Sequence, residues 1–248
     1  MAIISKIKPI RGFSQIFHLF LQLLLPILVF VLVNLNFIQL AFILILLSKW
    51  RMIAVKPRFW AANIQANALD IMVGISWAVF MDVSSNIFLK VGMVLGYIFW
   101  IVVIKPTSGQ LATSVQSFVG QFLGLTALYV SWDSGPIWGL TLITALIAYI
   151  SARHFFDSFS EVYSKMLSFF WAYFAASMAW ILGHWLIYYK FISQPTLILT
   201  IISYSIGSIY YFDHFNKLNR YIRWQFLFLL FILVIIISFF SGWTNRIV

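Results

Sequence analysis

From Phe13 to Phe240 the chain is a succession of apolar stretches separated by short loops that hold most of its charge. A helix needs about 20 mostly apolar residues to cross a bilayer. Nine such segments can be drawn, at 13–33, 37–55, 63–81, 87–104, 109–131, 136–152, 166–188, 196–212 and 225–240. Lipid offers no partner to a free backbone N–H or C=O, so each segment must be helical or part of a closed barrel. The period-2 alternation of a barrel is absent. The expected fold is an all-α polytopic integral membrane protein, a bundle of about nine transmembrane helices forming one domain over residues 1–248. Eight is the alternative count, because Lys49 and Arg51 sit in the last turns of the second segment and must snorkel to the headgroups.

Composition excludes the soluble alternative. The 248 residues are 63% hydrophobic and 9% charged, where a soluble domain carries about 25% charged residues. The first apolar run exceeds the about 7–15 residues of a signal-peptide core and ends Val33-Asn34-Leu35-Asn36, so it reads as a retained span. The chain has no cysteine, which removes disulfides and thiolate metal sites.

The net charge of +10 would suggest nucleic acid in a soluble protein; here the positive-inside rule accounts for it. With the N-terminus inside, 13 of the 16 Lys and Arg residues fall on the inner side, leaving Lys90, Lys190 and Arg246 outside. The expected orientation is therefore N-terminus inside, C-terminus outside, in the cytoplasmic or plasma membrane. Trp50, Trp60, Trp100 and Trp224 fall near the inner boundary, and Trp77, Trp132, Trp138, Trp185 and Trp243 near the outer one, as aromatic belts do. Trp171 and Trp180 fall mid-span.

Asp70 is one of six acidic residues, and it lies inside the third segment. An ionisable group at that depth is costly and needs either a partner or a function. As a site it would hold a proton or cation, approached through Asn67 and Asn63. As a structural group it would be protonated or hydrogen-bonded to a neighbouring helix, since a buried carboxyl without a cation shifts toward its neutral form. Lys90 is expected to meet Asp82 rather than Asp70.

Three loops share a step, Ile7-Lys8-Pro9, Val55-Lys56-Pro57 and Ile104-Lys105-Pro106, and a polar stripe follows each. The stripes are Gln15, His18 and Gln22; Asn63, Asn67 and Asp70; and Gln110, Ser114, Ser117 and Gln121. Spacings of three and four put each set on one helical face. A duplication would explain this, and so would hairpins of similar length with lysine inside and proline at helix starts. Polar faces in lipid turn toward other helices or a wet cavity, so segments one, three and five are expected to share a polar centre near the inner leaflet. The expected solute or ion path is Asp70, Asn67, Asn63, His18, Gln22, Ser117 and Gln121.

His184 would bond a neighbouring helix or titrate near neutrality. Gly92 with Gly96, and Gly120 with Gly124, mark close helix contacts. The stretch 153–165 reads as an interfacial amphipathic helix or an extension of the flanking spans, with Arg153–Asp157 and Glu161–Lys165 pairs. His154, Asp157 and Glu161 on one side make a sparse set for a metal, and no metal or other cofactor is expected. Lys217, Arg220 and Arg223 would contact anionic headgroups on the inner side. Serine-elbow, zinc-protease and phosphate-loop motifs are absent, so an enzyme is not expected. The function expected first is a small transporter or channel-like permease. A non-catalytic subunit of a membrane complex, with a membrane-protein partner or a second copy, comes next. A lipid-modifying enzyme working through His154, Asp157 or Glu161 comes last.

Overall fold

The computed structural model describes residues 13–132, 135–184, 188–189 and 192–240, with the side chains of 13–19 and 188–189 excepted. Among the described residues it is all-α apart from one two-residue strand pair. Nine helices follow in order: α1 Phe13–Asn34, α2 Ile38–Leu47, α3 Trp60–Val83, α4 Ile87–Phe99, α5 Gln110–Ser131, α6 Ile137–Ser158, α7 Ser164–Gly183, α8 Gln194–His214 and α9 Arg220–Phe239. Seven segments are long and apolar enough to cross a membrane: Pro57–Val83, Ile87–Ile104 and helices α5 to α9. The described apolar stretches of the first two helices, Phe20–Asn34 and Ile38–Leu47, are shorter. The chain is a multi-pass membrane protein.

Large apolar side chains cover its surface. Phe88, Phe170, Phe228, Phe231 and Phe239 are all exposed, which is tolerable only where the surroundings are hydrocarbon rather than water. Helix α9 is the extreme case, with Ile237 its one buried residue among those described.

Helix α3 sits between two cores. One of its faces places Val73 and Ala78 against Val29 and Val33 of α1, Ile45 of α2 and Tyr97 of α4. The other brings Leu69 and Met72 into a core shared with Leu125 of α5, Ile147 of α6, Ala175 of α7 and Leu199 of α8. Glycine permits the closest approaches. A Cβ on Gly96 of α4 would lie 2.5 Å from the Trp77 ring of α3, and one on Gly120 of α5 would lie 2.6 Å from Leu69. Gly92, by contrast, faces open space, so only half of that expected glycine seam is used.

Several expected boundaries move. The second segment is helical over ten residues only, about 15 Å of rise. Ser48 then turns its hydroxyl back to the Ile45 carbonyl at 2.6 Å, and the chain passes into a 3₁₀ turn at Trp50–Met52. Trp60 Nε1 ties this connection down by donating to the carbonyls of Ile53 and Val55, at 3.0 and 2.9 Å. Helix α6 runs on to Ser158 and α7 begins at Ser164. The stretch 153–165 is thus an extension of spans and a tight turn, not a separate interfacial helix. Helix α7 stops at Gly183. Before α8, Tyr188–Tyr189 pairs antiparallel with Ile192–Ser193.

Candidate functional site

Polar side chains collect at one end of the bundle, where α2, α4, α6 and α8 finish and α3, α5, α7 and α9 begin. Gln65 of α3 donates to Asp157 of α6 at 2.7 Å. Asp157 pairs with Arg153 at 3.2 Å, and Arg153 donates to Ser164 of α7 at 2.7 Å. The Tyr210 hydroxyl donates to Glu161. These bonds tie α3, α6, α7 and α8 together across the charged end.

Asp70 lies at the deepest part of this layer. Lys49 Nζ and Lys105 Nζ both reach its Oδ2, at 2.9 and 2.7 Å. The three side chains are mostly buried, with 18% of Asp70, 15% of Lys49 and 34% of Lys105 exposed. From sequence alone, Lys49 is expected to snorkel outward and Asp70 to lack a cation. The short α2 is what overturns this. Its early end leaves Lys49 at the depth of Asp70, where its ammonium reaches the carboxylate at 2.9 Å. Lys105 titrates above the ordinary lysine range: burial works against its ammonium, and the attraction of Asp70 outweighs that burial.

The position of Lys105 is set by a π-helical turn, Trp100–Ile104, closed by its own N–H on the Trp100 carbonyl at 2.8 Å. Such turns recur at functional sites. Gln116 of α5 braces it. Its Nε2 donates to the Ile104 carbonyl at 2.7 Å, which also accepts from the Thr107 hydroxyl, and to the Thr107 carbonyl at 3.1 Å. Its Oε1 meets His154 Nε2 at 3.1 Å, which requires the proton on that nitrogen.

A cavity of about 380 Å³ opens beside the ion pairs. Gln22 of α1, Asn67 and Asp70 of α3, and Tyr97 and Trp100 from α4 and its π turn line it together with Lys49 and Lys105. Exposed Trp50 and Arg51 complete its rim. Two cations thus pair with the one carboxylate, and a third, Arg51, lies on the rim.

The expected path residues divide. Asp70, Asn67 and Gln22 meet in this cavity. Asn63 contributes its carbonyl, which accepts from Asn67 Nδ2 at 2.9 Å. His18 and Gln15 lie on α1, with side chains outside the described residues. Ser117 and Gln121 lie elsewhere. Ser117 returns its hydroxyl to the Thr113 carbonyl. Gln121 is 1% exposed; its Oε1 accepts from Trp171 Nε1 at 3.1 Å and Ser203 Oγ at 3.3 Å, and its Nε2 donates to the Leu199 carbonyl. The polar face of α5 thus turns to α7 and α8, while its glycine face meets α3. The single centre expected from segments one, three and five is two separate centres.

Other expectations change as well. Lys90 donates to Asn34 of α1 at 3.1 Å rather than meeting Asp82. His154, Asp157 and Glu161 engage different partners instead of converging, and Glu161 sits in a turn, where helical spacing to Lys165 does not exist. His184 Nδ1 meets the Trp180 carbonyl of its own helix at 2.7 Å, which is one of its contacts. Trp100 is 2% exposed and belongs to the core, whereas Trp180 is exposed. Lys217, Arg220 and Arg223 are exposed around the start of α9, where the Asn219 side chain caps the helix by accepting from the Ile222 N–H. Of the three lysine–proline steps, Lys105 is ion-paired and Lys56 is exposed; the first step lies outside the described residues, as do Trp185, Lys190, Trp243 and Arg246.

Lys49, Lys105, Gln116 and Tyr97 are the site residues that sequence reasoning missed. The available signal was Asp70 itself, since a buried carboxylate calls for a cation and a lysine stem is long enough to supply one from a helix end. Fold and site together define a class: a multi-pass, all-α membrane protein with an ion-paired polar cavity at its charged end. No family model matches the chain, and comparison with curated proteins and with solved structures gives no match either.

Proposed function

We propose that the protein is a small transporter or channel-like permease and that the cavity at Asp70 is its solute site. The observation that supports this most is the buried Lys49–Asp70–Lys105 cluster on the wall of a polar cavity. Charged groups at membrane depth are retained mainly where a solute or ion passes. The sign of the solute differs from the sequence expectation. Lys49 and Lys105 already occupy the side of Asp70 that a cation would need. With Arg51 at the rim, the surplus charge is positive, and rings of Lys and Arg select anions. The solute is a small anion. In this reading the charged end faces the cytoplasm, the N-terminus is inside, the C-terminus is outside, and the membrane is the cytoplasmic or plasma membrane. The chain crosses nine times, with 35–56 crossing as a half-length helix and a folded connection. Lys217, Arg220 and Arg223 would then rest on anionic headgroups.

A second reading, a non-catalytic subunit of a membrane complex, is favoured by α9, whose almost wholly exposed apolar surface suits a partner helix as well as lipid. The two readings separate in reconstituted liposomes of the purified protein. A permease passes chloride, inorganic phosphate or acetate faster than potassium, and Lys105→Gln lowers that flux at least tenfold. Faster potassium flux would refute the anion site. Absence of flux together with a stoichiometric co-purifying membrane protein would favour the subunit.

A further inference from the structure

Away from the ion pairs, a second cavity of about 310 Å³ lies among α5, α6, α7 and α8. Its size falls in the about 300–1,000 Å³ range of small-molecule sites. Phe118, Phe155, Phe156, Trp171, Phe174 and Tyr210 form most of its wall, and none of the residues lining it is charged. Phe170 and Ile206, also on its lining, are 63% and 52% exposed. The rim is therefore part of the apolar surface that faces hydrocarbon.

One polar group on this wall stands apart. Ser114, Ser117 and Ser168 each return their hydroxyl to the carbonyl one turn back, the usual habit of helical serine. Ser151 of α6 does not. It is 2% exposed and lines the cavity, and its Oγ has no hydrogen-bond partner among the described residues. A buried hydroxyl left in this way is costly, so its retention points to a ligand group that meets it. The other polar groups on the wall are already bonded: Gln121 accepts from Ser203 and Trp171, and Tyr210 donates to Glu161.

We propose that this cavity binds an uncharged amphiphile from the bilayer, a long aliphatic chain ending in a hydroxyl or ester carbonyl that hydrogen-bonds Ser151 Oγ. Aromatic walls take the chain, and the exposed rim between α7 and α8 admits it from the lipid side. A carboxylate or phosphate end is excluded, because the wall offers no cation to a charge removed from water. Ser151 needs one polar atom, which a hydroxyl or carbonyl supplies.

The test is photolabelling of the purified protein in detergent with a diazirine analogue of hexadecanol, followed by peptide mapping. Labelling is expected on α5 to α8 peptides around Phe118, Ser151 and Phe155, and unlabelled hexadecanol should compete at least tenfold better than palmitate at neutral pH. Ala152→Leu, which fills the cavity, should remove most of this labelling. Ser151→Ala, which keeps the shape, should weaken competition by hexadecanol about three- to tenfold, the equivalent of one net hydrogen bond, and leave competition by hexadecane unchanged. Labelling spread over all exposed helices and insensitive to Ala152→Leu would overturn the proposal as annular lipid only. Palmitate competing as well as hexadecanol, or Ser151→Ala leaving hexadecanol competition intact, would overturn the assigned polar contact. Should Ala152→Leu fail to fold, the Ser151→Ala comparison decides alone.

Discussion

Asp70→Asn is the sharpest perturbation of this molecule, because it removes one negative charge from between two positive ones. In the wild type, a single carboxylate oxygen holds Lys49 at 2.9 Å and Lys105 at 2.7 Å. In the variant, two mostly buried ammonium groups face each other without a counter-ion. Leaving a buried charge unpaired costs about 3–5 kcal/mol. Lys105 is 34% exposed and the cavity opens at Arg51, so screening places the cost near the lower end, about 3 kcal/mol. On the scale of a domain this size that is a fall of about 6–12 °C in Tm. Lys49→Gln and Lys105→Gln behave differently, since each leaves Asp70 one ammonium. Each should cost about 1 kcal/mol or less, as a partly screened pair does. The neutral triple variant Asp70→Asn/Lys49→Gln/Lys105→Gln should recover most of the loss, because the effects of groups in one cluster do not add. The assay is thermal unfolding in detergent at neutral pH, followed by intrinsic tryptophan fluorescence. An Asp70→Asn protein as stable as the wild type, or a triple variant no better than Asp70→Asn, would refute the argument.

Gln116→Leu should cost about 1–3 kcal/mol by leaving the Thr107 carbonyl and His154 Nε2 without their amide partner, and it should lower anion flux because the Lys105 turn loses its brace; unfolding and flux read the two effects separately. Gly96→Ala drives a methyl to 2.5 Å from the Trp77 ring and should lower stability by about 1–3 kcal/mol, whereas Gly92→Ala, into open space, should leave the melting temperature unchanged. Replacing Lys217, Arg220 and Arg223 by Gln should abolish the stabilisation that anionic lipid gives over neutral lipid, at about 1 kcal/mol per residue, as measured by melting in lipid nanodiscs of each composition.

The helices were legible because the bilayer sets one length scale and leaves the backbone one way to satisfy itself. Asp70 was legible for the same reason, as a charge at a costly depth. Its partners were not. Ser48-Lys49-Trp50-Arg51 follows Leu47, but the stretch 52–55 is apolar again and no glycine or proline marks the end of α2, so the depth of Lys49 was set by a turn that composition does not announce. Lys105 lies where a lysine ordinarily meets headgroups, and only the π turn directs it inward. Gln116 falls off the stripe of Gln110, Ser114, Ser117 and Gln121, so its bracing role depended on which neighbour α5 met. The partners of Gln121, Trp171 and Ser203, lie 50 and 82 residues away along the chain. Face and periodicity show that α5 has a polar side; they do not show which helix it packs against.

The chain contains no cysteine, so a thiol can be introduced at a single chosen position. The most direct test of an anion-selective cavity is the reaction rate of Asn67→Cys with thiosulfonate reagents of opposite charge. The sulfonate-bearing reagent should react faster than the ammonium-bearing one, and chloride or phosphate should slow it. A thiol that does not react at all, or one that prefers the ammonium reagent, would contradict a wet, cationic site beside Asp70.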